Sequence, residues 1–398
     1  MKLFYRWFKN TFLFFLLACI SCNSVSQIKS EHLQLGIEQT QAYLPLLKNK
    51  KVAVVGNQTS MIPGTSGQFV HLVDTLLNSN IKVTKVFAPE HGFRGKADAG
   101  ETIKDGIDAK TGLPIISLYG SNKKPSAEQL KNIDVVIFDI QDVGARFYTY
   151  ISTLHYVMEA CAELNIEVLV LDRPNPNGNY IDGPILEKEF TSFVGMHPVP
   201  VVHGLTIGEY ARMMNGEGFL KNKIQVKLWV VNLKHYNKNE TYKLPIKPSP
   251  NLPNAKAINL YPSLCFFEGT NVNAGRGTNL QFQVFGSPYL SAEVFNFEYT
   301  PQSNEGSKSP KHLGKVCYGK NLSNSENLNY LQLDWLIEAY QNTENKNEFF
   351  NSFFNKLAGN ASLQEAIKAG KSAEEIKASW QDDLADYNKR IKPYLLYE

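Results

Sequence analysis

The chain has 398 residues, with 41 Lys and Arg against 38 Asp and Glu, which gives a formal net charge of +3 at pH 7. Lys2, Arg6 and Lys9 account for that excess, so the rest of the chain is close to neutral and lacks the basic surface that nucleic-acid binding requires. Hydrophobic residues make up 43% of the chain, enough for buried cores. The length favours two domains, because single hydrophobic cores stop growing at about 250–300 residues.

Residues 1–22 have the pattern of a lipoprotein-type signal peptide. The three basic residues precede an apolar run over residues 11–20, which is too short for a membrane-spanning helix of about 20 apolar residues. Cys22 is the preferred lipidation site, because it leaves the longer apolar run and precedes a polar tether over residues 23–34. Cys19 is an alternative site, and a plain secretory signal is another interpretation. Every version predicts export, and a lipid anchor would hold the protein at the membrane on the periplasmic side of the envelope.

The remaining cysteines, Cys161, Cys265 and Cys317, do not indicate a metal site. They are widely spaced, whereas zinc knuckles need pairs of ligands at short spacing. Cys161 and Cys265 lie in apolar surroundings typical of a core. Their odd number allows one disulfide at most.

Apolar runs alternate with amphipathic segments from residue 51 to residue 231. Strands are predicted at 52–56, 81–87, 115–119, 135–140, 168–172 and 226–231, and helices at 68–77, 126–130, 148–164 and 206–214. The last helix has Thr206 at its N-cap and Glu209 at its third position, the pattern of a capping box. This alternation predicts an α/β, Rossmann-like domain over residues 35–244, with a mostly parallel sheet flanked by helices.

No nucleotide or other cofactor is predicted. The loop after the first strand, residues 56–60, lacks the Gly-x-Gly-x-x-Gly spacing of dinucleotide-binding folds. The chain also lacks a Walker-type phosphate-binding loop.

A proline-rich segment over residues 245–253 is the predicted linker, because four prolines in nine residues disfavour both helix and central strand. Residues 254–398 then form a predicted smaller α+β domain. Its predicted helices are 257–267, 331–340, 348–357, 361–368 and 373–390, and its strands are 282–285 and 314–317.

Polar side chains cluster where the predicted strands end. The densest group is Glu90, His91 and Arg94, directly after the second strand. Because parallel strands bring their carboxyl ends to one edge of a sheet, residues distant in sequence should meet there. The candidates at this edge are Asn57, Gln58, Glu90, His91, Arg94, Asp139, Asp142, Arg146, Tyr148, Asn175 and His203.

Several of these candidates also have a structural interpretation that the sequence leaves open. The alternatives are bracing of a turn (Asp139, and Asn175 with Asp172), packing at a strand end (His203), and ion pairing (Arg146 with Asp142, and Glu90 with Arg94).

A second cluster, residues 267–278, follows the linker. Glu268, Asn271, Asn273 and Arg276 offer groups suited to hydroxyls and carboxylates, among glycines that allow close approach. Folded back over the edge of the sheet, this segment would form an inter-domain cleft. A Gly/Asn-rich turn without a ligand is the alternative.

The chemistry of the two clusters favours cleavage of a glycosidic bond. Carboxyl groups beside amides and aromatic rings suit a reaction in which one acid protonates the leaving oxygen. A Gly-x-Ser-x-Gly elbow and a His-Glu-x-x-His motif are both missing from the sequence.

Six ordered segments of the chain carry a family pattern. They are Gly-Asn-Gln-Thr-Ser (56–60), Pro-Glu-His-Gly-Phe-Arg-Gly (89–95), Asp-Ile-Gln-Asp-Val-Gly-Ala-Arg-Phe-Tyr-Thr-Tyr (139–150), Asp-Arg-Pro-Asn-Pro (172–176), His-Gly-Leu-Thr-Ile-Gly-Glu (203–209) and the glycine-rich 267–278. Together they resemble the exo-β-N-acetylmuramidase (NamZ-like) family, and the resemblance extends from residue 35 to the C-terminus.

The resemblance implies an exo-acting glycoside hydrolase that releases N-acetylmuramic acid from the non-reducing ends of peptidoglycan glycans. It also implies a smaller C-terminal domain placed over the cleft of the Rossmann-like domain. Glu90 maps onto the family's glutamate and is the expected general acid/base, and His91 beside it is assigned to the same catalytic group.

The second participant in the reaction stays open. Asp139 or Asp142 could position water, or the 2-acetamido group of the sugar could assist. Arg146 and Arg276 are the expected partners of the lactyl carboxylate of muramic acid.

Two other functions stay open. A lipid-anchored binding protein for cell-wall sugars would use the same cleft without hydrolysis. An amidase or esterase would need a nucleophile or a metal that the sequence does not reveal.

Overall fold

A mostly parallel β-sheet forms the centre of the fold. The computed structural model describes residues 32–64, 67–90, 92–94 and 105–397. The predicted signal peptide, Cys22 and His91 lie outside the described residues. The strands are β1 (Lys51–Gly56), β2 (Met61–Pro63), β3 (Phe69–His71), β4 (Lys82–Ala88), β5 (Gly106–Ile107), β6 (Pro114–Ser117), β7 (Val135–Asp139), β8 (Glu167–Leu171), β9 (Leu228–Val231), β10 (Val284–Ser287), β11 (Phe297–Tyr299) and β12 (Cys317–Asn321).

The order of the strands in this sheet is β5-β6-β4-β1-β7-β8-β9. Neighbouring strands are parallel, except that β5 is antiparallel to β6. Gly56 at the end of β1 pairs with Asp139 at the end of β7, and Ala88 at the end of β4 pairs with Ser117 at the end of β6. These strands therefore end together at one side of the sheet, which we call the carboxyl edge.

Helices flank this sheet and dominate the C-terminal part. All residues of β7, and all but the first of β1, are buried, so both faces of the sheet are covered there. Within the described part of the chain, no helix is long and apolar enough to cross a membrane. The helices are α1 (Thr40–Leu47), α2 (Leu72–Asn78), α3 (Tyr150–Glu163), α4 (Ile207–Gly216), α5 (Ala255–Leu264), α6 (Asp334–Gln341), α7 (Phe354–Ala358), α8 (Ser362–Lys368), α9 (Ala373–Ala378) and α10 (Gln381–Ile391).

The C-terminal part is smaller and contains an antiparallel sheet with the order β10-β12-β11. The predicted fold class, a Rossmann-like α/β sheet with a smaller α+β part, is confirmed. One hydrophobic cluster includes Phe138 of the large sheet and Phe266 and Leu357 of the C-terminal part. The chain from Gln34 onward is one compact unit. The boundaries 35–244, 245–253 and 254–398 stay predictions.

Several predicted elements differ from the structure. Residues 68–71 are partly strand, and α2 begins only at Leu72, because His71 accepts the N–H of Val73 and caps the helix. Residues 126–130 form turns instead of a helix. The predicted helix 373–390 is two helices, interrupted where the indole of Trp380 turns inward to donate to Asp182 Oδ1 at 3.1 Å. Residues 203–204 follow isolated β-bridges at Val202 instead of a β-strand.

Other local predictions agree with the structure. Thr206 Oγ1 accepts the N–H of Glu209, and the Glu209 carboxylate accepts the N–H of Thr206, which completes the capping box. Cys161, Cys265 and Cys317 are buried and free, so no disulfide joins them.

The last residues of the chain are bound to the large sheet. The Tyr397 hydroxyl donates to Asp172 Oδ2 at 2.6 Å and accepts the N–H of Leu233 at 2.8 Å. The N–H groups of Leu396 and Tyr397 both donate to Glu209 Oε1, at 2.9 and 3.3 Å. Two buried carboxylates of the Rossmann-like part are thus partnered by the C-terminus.

Arg146 lies in the framework of the fold, where its side chain binds groups of the protein, and its contact with substrate stays a prediction. Its side chain is fully buried. Its guanidinium donates to the carbonyl oxygens of Pro184 and Val199 at 2.8 and 2.7 Å, and to those of Leu357 and Ala358 at 3.0 and 2.7 Å. Burial lowers the pKa of Arg146 to about 9. The side chain therefore joins the Rossmann-like part to α7.

Arg146→Met should lower the free energy of unfolding by at least about 3 kcal/mol, because four buried carbonyls lose a donor and each costs about 1–3 kcal/mol when unsatisfied. Urea unfolding of the two proteins measures the difference. Arg212→Met is the matched control, since Arg212 also donates to carbonyls but is only partly buried. Equal destabilisation by the two variants would contradict the role of Arg146.

Candidate active site

Glu90 lies at the carboxyl edge, two residues beyond β4. Tyr119 lies two residues beyond the end of β6, as Glu90 does beyond β4. Because Ala88 at the end of β4 pairs with Ser117 at the end of β6, Tyr119 stands beside Glu90. The Tyr119 hydroxyl is within hydrogen-bonding range of the Glu90 carboxylate. Thr149, which precedes α3, donates from Oγ1 to Glu90 Oε2 at 3.0 Å. Two hydroxyl groups from different elements therefore contact the expected general acid.

Tyr150 connects this edge to the proline-rich segment. Its hydroxyl accepts from Asn57 Nδ2 at 3.0 Å and donates to the carbonyl of Pro248 at 3.2 Å. Gln58 Nε2 donates to the same carbonyl at 3.0 Å. Burial, followed by the nearby Glu90 carboxylate, raises the pKa of Tyr150 above its ordinary range. The buried Asn57 and its neighbour Gln58 thus hold Pro248 at the edge beside Glu90.

The C-terminal part contributes an ion pair, in which Arg276 Nε lies 2.5 Å from Glu268 Oε1. About a quarter of each side chain is exposed, 26% for Arg276 and 27% for Glu268. Glycines on both sides of Arg276, with φ of 77° and 80°, let the backbone turn tightly around it. Burial and Glu90 raise the pKa of Tyr119, and the positive charge of Arg276 opposes that rise. The charge of Arg276 therefore acts on the tyrosine that stands beside Glu90.

Asn273 supports this loop. Its Nδ2 donates to the carbonyls of Arg276 and Lys311 at 3.1 and 2.8 Å, and its Oδ1 accepts the N–H of Gly275 at 2.6 Å. The carbonyl of Asn271 accepts from His312 Nε2 at 2.6 Å. Asn273 thus shapes the backbone that presents Arg276, and direct contact of Asn271 with a ligand stays a prediction.

Asp139 and Asn175 are buried and bind groups of the protein, and their placement at a ligand stays a prediction. Asp139 is fully buried, and its carboxylate accepts from Arg173 Nε and a terminal nitrogen at 2.6 and 2.9 Å. Burial raises the pKa of Asp139, and Arg173 opposes the rise. Asn175 Nδ2 donates to the carbonyl of Leu205 at 2.9 Å, and its Oδ1 accepts the N–H of Asn177 at 2.9 Å. Both side chains brace the loops that follow β7 and β8.

Asp142, His203 and Tyr148 form a buried group next to Tyr150. Asp142 Oδ2 accepts the N–H of Gly144 at 2.7 Å and lies 3.7 Å from His203 Nε2. His203 Nδ1 accepts a backbone N–H at 3.2 Å, so a neutral imidazole carries its hydrogen on Nε2, facing Asp142. The Tyr148 ring packs edge-on against Tyr150, with centroids 4.8 Å apart. Of the two candidate aspartates, Asp142 is the one beside the tyrosines that adjoin Glu90.

Arg94 forms its ion pair with Asp108 and not with Glu90. It donates to both oxygens of Asp108, at 2.8 and 2.7 Å, and lies 3.8 Å from Asp74. This bidentate pair holds the loop that carries Glu90 to the segment before β6. In the described ranges, no three His, Cys, Asp or Glu side chains are grouped as a metal site would require.

Two family models cover almost all of the folded chain. The model described as exo-beta-N-acetylmuramidase NamZ, N-terminal, matches residues 52–256, and that described as exo-beta-N-acetylmuramidase NamZ, C-terminal, matches residues 259–397. The chain belongs to the NamZ family. The boundary between the two matched regions falls inside α5. Glu90 therefore lies in the region matched by the N-terminal NamZ model, and Arg276 lies in the region matched by the C-terminal one.

Individual relatives agree with this NamZ assignment. The chain is 39% identical over 390 residues to the peptidoglycan beta-N-acetylmuramidase NamZ of Bacillus subtilis (strain 168), covering 93% of this chain and 92% of that protein. Crystal structures of two DUF1343 family proteins from Bacteroides fragilis NCTC 9343 share the fold. One has a TM-score of 0.84 at 47% identity and the other 0.76 at 28%, each covering 92% of this chain and 99% of its own. The resemblance inferred from the six motifs is confirmed.

Sequence reasoning misses two residues of this NamZ-family site, Tyr119 and Thr149. Tyr119 closes a predicted strand, so it belongs at the carboxyl edge, but only the pairing of β4 with β6 places it beside Glu90. Thr149 lies inside one of the six family segments, between the singled-out Tyr148 and the start of α3. Its hydroxyl reaches Glu90 through the sheet order, which sequence spacing does not reveal.

Asp108→Asn should destabilise the protein at neutral pH and much less in acid. The hydrogen bond from Arg94 holds the pKa of Asp108 at about 2, below its ordinary value. Since the folded state has the lower pKa, the pair stabilises the fold above about pH 4 and loses that contribution as the pH falls towards 2. A loss of about 2 kcal/mol is expected at pH 7, measured by urea unfolding at pH 7 and near pH 2.

The control is Asp386→Asn, because Asp386 forms an exposed ion pair with Lys389 that contributes little to stability. A difference between wild type and Asp108→Asn that stays constant over this pH range would disprove the contribution of the Arg94 pair.

Proposed function

We propose that the protein is an exo-β-N-acetylmuramidase that releases N-acetylmuramic acid from the non-reducing ends of peptidoglycan fragments. The observation that carries the proposal is the position of Glu90 at the carboxyl edge, where the hydroxyl groups of Thr149 and Tyr119 face its carboxylate. The positive charge of Arg276, which is paired with Glu268, acts on Tyr119 beside it. The B. subtilis relative, which spans nearly the whole chain, is named for the same activity.

Glu90 is the general acid. Its proton moves to the glycosidic oxygen as the bond from that oxygen to the anomeric carbon breaks, and the leaving glycan departs as an alcohol. The carboxylate left behind then takes a proton from the water that completes hydrolysis. The same side chain therefore serves as acid in one step and base in the next.

The 2-acetamido group of the substrate is the second participant. Asp139 has no exposed surface and both of its oxygens are taken by Arg173. Asp142 is 5% exposed and its Oδ2 is held by Gly144. Neither of these two aspartates is therefore presented to water or to a sugar, and the partly exposed Glu268 is paired with Arg276. Attack by the acetamide oxygen on the anomeric carbon needs no protein nucleophile, a recognised exception to the two-carboxylate scheme.

Arg276 binds the lactyl carboxylate that distinguishes muramic acid from glucosamine. It is partly exposed at the site, whereas Arg146 is enclosed in the framework. A guanidinium matches a carboxylate with two parallel hydrogen bonds, which gives both affinity and orientation. Glu268 holds the arginine in place when no substrate is bound.

The enzyme acts outside the cytoplasm, as a lipoprotein tethered through Cys22 on the periplasmic side of the envelope. The support is the basic and apolar pattern of residues 1–22 and the polar stretch 23–34. This placement brings the site to peptidoglycan fragments.

Glu90→Gln should lower kcat by about 10²–10⁴-fold, because the amide cannot donate the catalytic proton, while thermal unfolding stays as in wild type. Release from a chromogenic β-N-acetylmuraminide measures the loss. Glu217→Gln is the matched control, since Glu217 also accepts a tyrosine hydroxyl, that of Tyr394 at 2.7 Å. Wild-type-like release by Glu90→Gln would refute the assignment. Wild-type protein that binds the glycan without cleaving it would support a binding protein instead.

Arg276→Ala should raise KM for the muraminide by about 10- to 100-fold, since a hydrogen bond to a charged group contributes about 1.5–3 kcal/mol. KM for the matching N-acetylglucosaminide, which lacks the lactyl carboxylate, should stay unchanged. Arg212→Ala serves as a control for loss of an arginine outside the site. If Arg276→Ala weakened both substrates equally, Arg276 would have no part in lactyl recognition.

A further inference from the structure

The Glu90 carboxyl group is held by hydroxyls from two rigid elements. Thr149 stands at the start of α3, where its carbonyl accepts the N–H groups of Ser152 and Thr153 at 3.1 and 3.0 Å. Tyr119 follows β6, and its own N–H donates to Ser117 Oγ at 3.3 Å. The backbone of each donor is thus fixed independently of Glu90. Such preorganised donors stabilise a charge without having to reorient as it forms.

Both hydroxyls act as donors to the carboxylate. Burial and the negative charge of Glu90 raise the pKa of Tyr119, so the phenol keeps its proton at neutral pH. The Thr149 hydroxyl does not ionise in water, and it donates to Glu90 Oε2 at 3.0 Å. As Glu90 gives up its proton to the leaving oxygen, negative charge develops on the oxygens that these donors face.

We propose that Tyr119 and Thr149 are positioning residues for Glu90, which orient its carboxyl group and stabilise the charge that develops on it during proton transfer. The inference rests on the proposed function, because it assigns Glu90 the role of acid. The two hydroxyl groups differ from residues that bind the sugar, because their loss should lower the rate of the chemical step and leave substrate binding unchanged.

Thr149→Val and Tyr119→Phe should each lower kcat and kcat/KM for a disaccharide of N-acetylmuramic acid β-linked to N-acetylglucosamine, whose sugar leaving group needs protonation, by about 10- to 100-fold, with KM within about twofold of wild type. Thr149→Ser, which keeps the hydroxyl, should restore most of the rate. Thr84→Val and Tyr394→Phe are the matched controls. Each removes a hydroxyl that donates elsewhere, to the carbonyl of Val52 and to Glu217 respectively. Both controls should keep wild-type kcat.

The decisive comparison changes the leaving group. A 2,4-dinitrophenyl β-N-acetylmuraminide releases a leaving group acidic enough to depart without protonation. The loss of kcat/KM in Thr149→Val and Tyr119→Phe should shrink to within about threefold on this substrate, because assistance to proton transfer is no longer needed. An undiminished loss on the dinitrophenyl substrate, or a rise in KM as the main effect, would overturn the positioning role.

Failure of the proposed function gives a different result. If Glu90 is not the acid, Glu90→Gln cleaves the disaccharide at the wild-type rate. If kcat/KM of Glu90→Gln is lowered on the disaccharide and recovers on the dinitrophenyl substrate, the acid role holds, because kcat/KM reports cleavage of the glycosidic bond and not the later base step. The response of the two hydroxyl variants then decides the positioning role by itself.

Discussion

Parallel pairing of β1 with β4 and β7 is the constraint on which the site depends. The pairing of Gly56 with Asp139 and of Ala88 with Ser117 brings four strand ends to one level. Every loop that leaves this edge then starts within reach of the others. Glu90 meets Tyr119 because each stands two residues beyond a registered pair. A shift of one residue between β4 and β6 would turn one of the two side chains to the opposite face of the sheet.

The second half of the site is attached to that edge by polar contacts as well as by apolar packing. The carbonyl of Pro248 takes hydrogen bonds from both Tyr150 and Gln58, so the proline-rich segment is fixed where it passes the catalytic loop. Arg146 fixes α7 from the other side through carbonyl groups. These contacts determine where Arg276 stands relative to Glu90, although neither Arg146 nor Pro248 is chemically reactive.

The sequence predicts the strands, the carboxyl edge and the family because each depends on local patterns. Continuous apolar runs mark the buried strands, and the capping box at Thr206 is visible from residue types alone. Burial of polar side chains is not visible in this way. Arg146 and Asp139 look like ligand groups in the sequence, and the structure encloses both, one among carbonyls and one against Arg173. Tyr119 is missed for a different reason, since its role depends on which strands are neighbours.

The attachment of Tyr397 to Asp172 and Glu209 has a consequence for truncation of the chain. Both carboxylates belong to the Rossmann-like part, but some of their hydrogen-bond donors are supplied by residues 396 and 397. The Rossmann-like part expressed without these residues would keep two buried carboxylates with fewer donors. Residues that are remote in sequence therefore contribute to the stability of the large sheet beside β8.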